Sequence, residues 1–339
     1  MLKLLQTVGR RPDQVTDFCD AVGWPGISVV QVTPGTFDVE CTGVLNAGYG
    51  MLNFKTATEA FFTGPRNNLY QTFCLVDKPP EHANIKDFTD HGTTFDHSTL
   101  VGLHSEKTFE SFKMGPSGSL LVAVVPWTTV RNYAKLVEKI GSGTGEQMTI
   151  AMENYNELIL DPTWYQRLCT AMRRRTFMPQ PDNDGSDLDQ LLALISETIL
   201  SGVTGVKTRS FRESSTIPGK IVDIAYSAEA RKKLQLPEIV EMLQGHSLRA
   251  VQGSCDKELG FGPMELLRIC RMQQVRRALT HRPTNEDLQD LFETRPTVER
   301  VFKHYGLTYS TSQRKAYKDF FGKTPKQDEK DSLRSVVST

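Results

Sequence analysis

Two periodicities divide this chain, and the place where one replaces the other limits its fold more than any single motif. From Ile27 to Val130 the residues run in short strand-like stretches: ISVVQV (27–32), TFDVECTGVL (36–45), GMLNFKTATEAFF (50–62), LYQTFCLVD (69–77), STLVGLHSE (98–106), KTFESFKM (107–114) and SLLVAVVPW (119–127). Turn signals separate them, as in PG at 34–35, GPRNN at 64–68 and GPSG at 115–118. Repeated short β-rich runs of this kind close into an antiparallel sandwich or barrel-like domain. Beyond Pro126 the spacing turns helical, in NYAKLVEKI (132–140), WYQRLCTAMRRR (164–175) and DLDQLLALISETIL (187–200), with Ser186 or Asp187 as the expected cap of the last. SGVTGVKTRSFRESSTIPGK (201–220) has no periodicity and reads as a linker. From Ile221 onward the pattern is helical almost throughout. The expected class is α+β: residues 1–200 as a sensing or dimerising part with strands over 27–130 and helices over 131–200, then the linker, then an all-α domain over 221–327, then a disordered tail over 328–339.

Charge separates the same two parts. The chain of 339 residues holds 40 Lys+Arg and 40 Asp+Glu, so a uniformly basic coat is excluded. Residues 231–339 nevertheless hold 20 Lys+Arg against 14 Asp+Glu, and the preceding residues carry the opposite excess. A polyanion is therefore expected to meet the C-terminal third. The six cysteines, at 19, 41, 74, 169, 255 and 270, are scattered singly, with no C-x-x-C pair, which fits a reducing compartment. The opening MLKLLQTVGRR lacks an apolar run of signal-peptide length, and Leu120–Trp127 is far shorter than the ~20 residues of a membrane helix. The expectation is a cytoplasmic protein with no membrane partner.

Within 237–259 the punctuation is specific. LPEIVEML (236–243) is a short helix with Pro in its first turn and Ile239, Val240 and Leu243 on one side. Gly245 supplies a tight turn, and Ser247 stands where a cap of the next helix belongs. In that helix Val251, Cys255 and Leu259 face inward, leaving Leu248, Arg249, Gln252 and Gly253 outward. Helix, glycine turn, capped helix is the grammar of a helix-turn-helix, although an ordinary helical hairpin shares it. Over 298–320 the same grammar returns: Val298, Val301 and Phe302 on the first helix, Tyr305-Gly306-Leu307 as the turn, and Thr311–Phe320 as the second helix, with Tyr317 and Phe320 or Phe321 inward.

Between the modules lies PMELLRICRMQQVRRALT (263–280), and Phe321-Gly322-x-x-Pro325 closes the second. In these residues the chain resembles the AraC/XylS-type transcriptional regulators. The linking-helix pattern of that family falls on Leu266, Leu267, Cys270, Arg271, Met272, Val275, Arg276 and Leu279. The resemblance covers about a third of the chain. It departs from the family at Gln244, His246, Gly253 and Gln313, and in the acidic connection NEDLQDLFE (285–293). What it implies is double-stranded DNA as the polyanion, with RNA polymerase, a small-molecule effector and a second copy of the chain as further partners, and no cofactor.

On that reading Arg249 and Gln252 face bases, because Arg forks to guanine O6/N7 and Gln pairs with adenine N6/N7. Ser312 and Lys315 hold the corresponding places in the second module. Ser247, Lys257, Arg314 and Lys318 go to phosphate, which positions without reading sequence. Arg271, Arg276 and Arg277 reach phosphate or pair with Glu258, Glu265 or Asp256, the structural role being favoured for Arg276.

Three readings stand for the strand-rich part. An enzyme is disfavoured: His82, His91, His97 and His104 form no His-x-His pair, and neither a G-x-S-x-G elbow nor a G-x-x-x-x-G-K-[ST] loop occurs. An effector-sensing domain is the second; residues 105–127 resemble, in strand pattern, the subgroup that includes ethanolamine-type regulators. A purely dimerising domain is the third. For the whole chain the competing class is a non-enzymatic helical module contacting protein or RNA.

Overall fold

Strand β11 (Ser119–Pro126) explains the architecture. Its continuous apolar run is buried on both faces: Leu121, Ala123 and Val125 point into one core, and Leu120, Val122 and Val124 into another. A strand of that kind belongs to an inner sheet with cover on either side. We obtained a computed structural model, which describes residues 2–46, 48–65, 69–77, 88–90, 93–94, 98–103, 109–116, 118–139, 144–154, 157–180, 185–207, 216–227, 234–280 and 297–337.

The strands are β1 (Lys3–Gly9), β2 (Ser28–Gln31), β3 (Val39–Asn46), β4 (Tyr49–Thr56), β5 (Ala60–Pro65), β6 (Tyr70–Val76), β7 (Thr89–Asp90), β8 (Thr93–Thr94), β9 (Thr99–Val101), β10 (Phe109–Met114), β11, β12 (Glu157–Leu160) and β13 (Val203–Lys207). They form an eight-stranded sheet, ordered β1-β3-β4-β11-β6-β9-β12-β13, and a five-stranded sheet, ordered β2-β5-β10-β7-β8. Every pairing is antiparallel. Two separate sheets make this a sandwich rather than a barrel, and the α+β class is as expected. The run 50–62 is two strands: the chain turns at Ala57–Glu59, where the Thr56 hydroxyl accepts from Thr58 N–H (3.1 Å), and changes sheet.

Four layers of cover follow. Helices α2 (Trp127–Lys139), α3 (Thr144–Asn154), α4 (Pro162–Phe177) and α5 (Ser186–Ser201) pack on the outer face of the larger sheet. The core between the sheets is aromatic: Phe62 stacks on Phe112 at 4.5 Å and Phe112 on Trp24 at 5.9 Å. Helix α1 (Pro12–Ala21) adds Val15, Phe18 and Cys19 to that core. On the outer face of the smaller sheet, Val30, Val32 and Phe61 join one cluster with the C-terminal helices α6 (Ile217–Tyr226), α7 (Leu236–Met242), α8 (Leu248–Leu259), α9 (Pro263–Thr280), α10 (Val298–His304) and α11 (Thr311–Phe321).

Several boundaries differ from the sequence reading. The strand-rich part begins at β1, an edge strand paired with β3. The linker 201–220 holds β13, which pairs with β12, and the first residues of α6; its residues 208–215 lie outside the described residues. Gly185, not Ser186 or Asp187, is the cap position of α5. Most of the tail 328–339 is ordered in helix α12 (Pro325–Val337). Its cause is local: Thr324 Oγ1 accepts from Gln327 N–H (3.3 Å) while Gln327 Oε1 accepts from Thr324 N–H (2.8 Å), a capping box. Among the described residues no helix is long and apolar enough to cross a membrane. The four histidines at 82, 91, 97 and 104 lie outside the described residues.

Candidate nucleic-acid interface

Both modules are built on the same local rules. Ser247 Oγ accepts from Ala250 N–H at 3.2 Å and starts α8; Ser310 Oγ accepts from Gln313 N–H at 3.2 Å and starts α11. Gly260 and Gly322 end these helices with φ of 80° and 72°, left-handed values that cost a glycine little. Gly245 takes φ 84° in the first turn. The inward faces are buried as the spacing predicts: Val251, Cys255 and Leu259 on α8, and Tyr317, Phe320 and Phe321 on α11. Rings lock the second module, with Tyr317–Phe321 centroids at 4.6 Å and Phe302–Tyr309 at 5.1 Å. Removing one cap hydroxyl, in Ser247→Ala or Ser310→Ala, is expected to cost about 1 kcal/mol, read by thermal unfolding.

Helix α9 joins the modules and is buried along most of its length, including Arg271 and Gln273. Burial holds the Arg271 guanidinium below its ordinary pKa, and its Nη1 donates to the Gly306 carbonyl at 3.5 Å, tying α9 to the second turn. Arg276 lies 4.7 Å over the Phe321 ring and pairs with Asp328 at 3.4 Å, so its role is structural, with a partner other than the acids expected. Arg277 pairs with Asp13 of α1 at 3.7 Å.

All eight residues assigned to nucleic acid are exposed. Ser247, Arg249, Gln252 and Lys257 belong to α8 and its cap, and Ser312, Arg314, Lys315 and Lys318 to α11. The side chains of Arg249, Gln252, Lys257, Lys315 and Lys318 make no hydrogen bond or ion pair to any described residue. Three others are already engaged. The Ser247 oxygen caps its helix, Ser312 Oγ lies 2.9 Å from Ser310 Oγ, and Arg314 donates to Thr311 Oγ1 (3.1 Å) with its guanidinium 5.3 Å from the Tyr309 ring centre. The sequence reading missed Lys323, Lys326 and Lys330, exposed residues that extend the basic character past Gly322. Lys323 pairs with Asp331 at 2.9 Å. The T-x-x-Q of the capping box was the signal that would have placed Lys326 and Lys330 on a helix.

No family model matches the chain, and no curated protein matches it. Solved structures with a similar layout exist. The AraC-like transcriptional activator CuxR is 10 % identical, over 80 % of this chain and 94 % of its own, with a TM-score of 0.41. ToxT from Vibrio cholerae is 12 % identical, over 85 % of this chain and 98 % of its own, with a TM-score of 0.29. A second ToxT structure, bound to (E)-4-(8-methylnaphthalen-1-yl)but-3-enoic acid, is 10 % identical over 85 % of this chain, also at 0.29.

The sandwich touches both α8 and α11 near their C-terminal ends. Ser111 of β10 donates to the buried Glu258 of α8 at 2.5 Å. Gly35 N–H, in the loop after β2, donates to the Phe320 carbonyl of α11 at 2.8 Å. Between them, Gln273 of α9 pairs with the backbone of Gln31: its Nε2 donates to Gln31 O (2.7 Å) and its Oε1 accepts from Gln31 N–H (3.4 Å). Because β2 is an edge strand, the Gln273 amide takes the place of a neighbouring strand. The Gln31 side chain in turn donates to Thr33 O and Gly35 O, bracing the loop that reaches Phe320.

Proposed function

We propose that this chain is a sequence-specific regulator of transcription of the AraC type, which binds double-stranded DNA through α8 and α11. One observation carries the reading: two Ser-capped, glycine-terminated helices, each with an exposed face bearing donors, are fixed to one buried helix. Such a pair fits successive major-groove segments. The basic excess of the C-terminal third supplies the sequence-independent attraction to phosphate. In this reading Arg249 and Gln252 read bases with Ser312 and Lys315, while Ser247, Lys257, Arg314 and Lys318 hold phosphate. The sandwich serves as the sensing or dimerising part in the cytoplasm, where a small-molecule effector, a second copy and RNA polymerase are its partners. Its contacts with Glu258, Gln273 and Phe320 give a change in the sandwich a short path to both DNA-facing helices.

Separating reading from positioning tests this. Arg249→Ala is expected to cost about 1–3 kcal/mol on a preferred duplex and to relax selectivity at one or two base pairs. Lys318→Ala is expected to weaken all duplexes alike and to reduce the salt slope by about one unit. Binding titrations on matched and mismatched duplexes at two salt concentrations measure both. Identical, sequence-independent losses in the two variants would move Arg249 to the phosphate class. Preference for RNA over duplex DNA in the parent chain would favour the helical-module reading instead.

A further inference from the structure

We infer that Gly253 sets how closely the first recognition helix lies against DNA, by keeping the centre of its exposed face free of a side chain. The inference rests on the DNA reading of that face. With Val251, Cys255 and Leu259 buried, and about 100° between successive residues, Gly253 falls opposite the core, beside Arg249 and one turn before Lys257. It sits in the interior of a twelve-residue helix, where glycine is about 1 kcal/mol worse than alanine. Nothing among the described residues asks for it. A Cβ built at Gly253 meets no atom within 4 Å, and its φ lies outside the left-handed range. Three other glycines outside the left-handed range have an internal reason. A Cβ at Gly43 would lie 2.7 Å from Val22, at Gly118 2.4 Å from Phe88, and at Gly202 2.6 Å from Trp164.

A helix that gives up stability with no internal gain is shaped for something outside the molecule. Glycine at such a point lets another surface approach the backbone itself. Two flexible side chains near it, Arg249 one turn before and Gln252 adjacent in sequence, are both exposed and without side-chain partners among the described residues, so a closer helix axis shortens the reach of both to base edges. An added Cβ meets no protein atom, so any change it makes in binding arises at the partner's surface.

The test is a size series in the full chain, Gly253→Ala and Gly253→Leu, on a duplex selected from random sequence and on a scrambled duplex. Gly253→Ala is expected to raise Tm by about 1–4 °C. It is expected to weaken the selected duplex by about tenfold, the size of one lost bidentate base contact. Gly253→Leu weakens it further, while both variants bind the scrambled duplex within about twofold of the parent, since that binding is carried by phosphate. A raised Tm with selected-duplex affinity within about twofold in both variants would overturn the inference and leave the DNA reading intact. A parent chain that does not distinguish the selected from the scrambled duplex would overturn the DNA reading, and this inference with it.

Discussion

Asp328→Ala is expected to destabilise the C-terminal helices by about 3–5 kcal/mol, the cost of removing one partner from a buried charged pair. Asp328 is 3 % exposed. It accepts from the Tyr317 hydroxyl at 2.7 Å and pairs with Arg276 at 3.4 Å. Tyr317 is fully buried, and burial with the Asp328 carboxylate beside it pushes its phenol well above the ordinary tyrosine pKa. Without the carboxylate, a buried hydroxyl loses its acceptor and a largely buried guanidinium loses its counter-charge. Asp328→Asn retains an oxygen for Tyr317 and loses only the charge, so its cost is expected to be smaller. Urea unfolding followed by circular dichroism measures both variants. A shift within about 0.5 kcal/mol for Asp328→Ala, the usual effect of a surface change, would mean that α12 is not docked.

Gln273→Leu is expected to be comparably severe, at about 2–5 kcal/mol. It keeps the volume of the side chain roughly constant and strips the partners from two backbone groups at once, each costing about 1–3 kcal/mol when left buried and unpaired. Those groups are the N–H and C=O of Gln31, a residue with no exposed surface. Loosening Gln31 also loosens the loop it braces, so amide exchange at Gly35, whose N–H reaches Phe320, is expected to quicken more than exchange in β11. Unchanged stability with unchanged Gly35 exchange would show that the Gln273 bridge does not couple the sandwich to the helices.

The helix-turn-helix pair was legible because its signals are local. Gly245, Ser247 and Gly322 act on backbone within a few residues, and the inward positions of α8 and α11 follow from 3.6-residue spacing. The doubly buried β11 was legible as a strand from its length and its punctuation. What escaped depends on distant partners. The edge strand β1 mixes Lys3, Gln6 and Thr7 with apolar residues and is fixed only by β3, some forty residues on. Strands β12 and β13 are short and need each other across α4 and α5. Helix α12 opens with polar residues, and among its described side chains Asp328 meets Tyr317 and Arg276. Nor could spacing show that Gln273, placed among the polar residues of an Arg-rich helix, satisfies a sheet edge, or that Glu258 meets Ser111 of the sandwich. For the candidate interface, residue type and helical phase identified exposed side chains and the Ser247 cap, but not that Ser312 and Arg314 are already engaged within the protein.

The central claim is that α8 and α11 enter successive major-groove segments of one duplex. Hydroxyl-radical footprinting of the full chain on a duplex selected from random sequence tests it most directly. The expected result is an asymmetric site for each monomer, with two protected patches on one face of the DNA about one helical turn, roughly 10 bp, apart. Arg249→Ala is expected to weaken only one of those patches. A palindromic site with a single groove contact per subunit, or protection that ignores sequence, would contradict it.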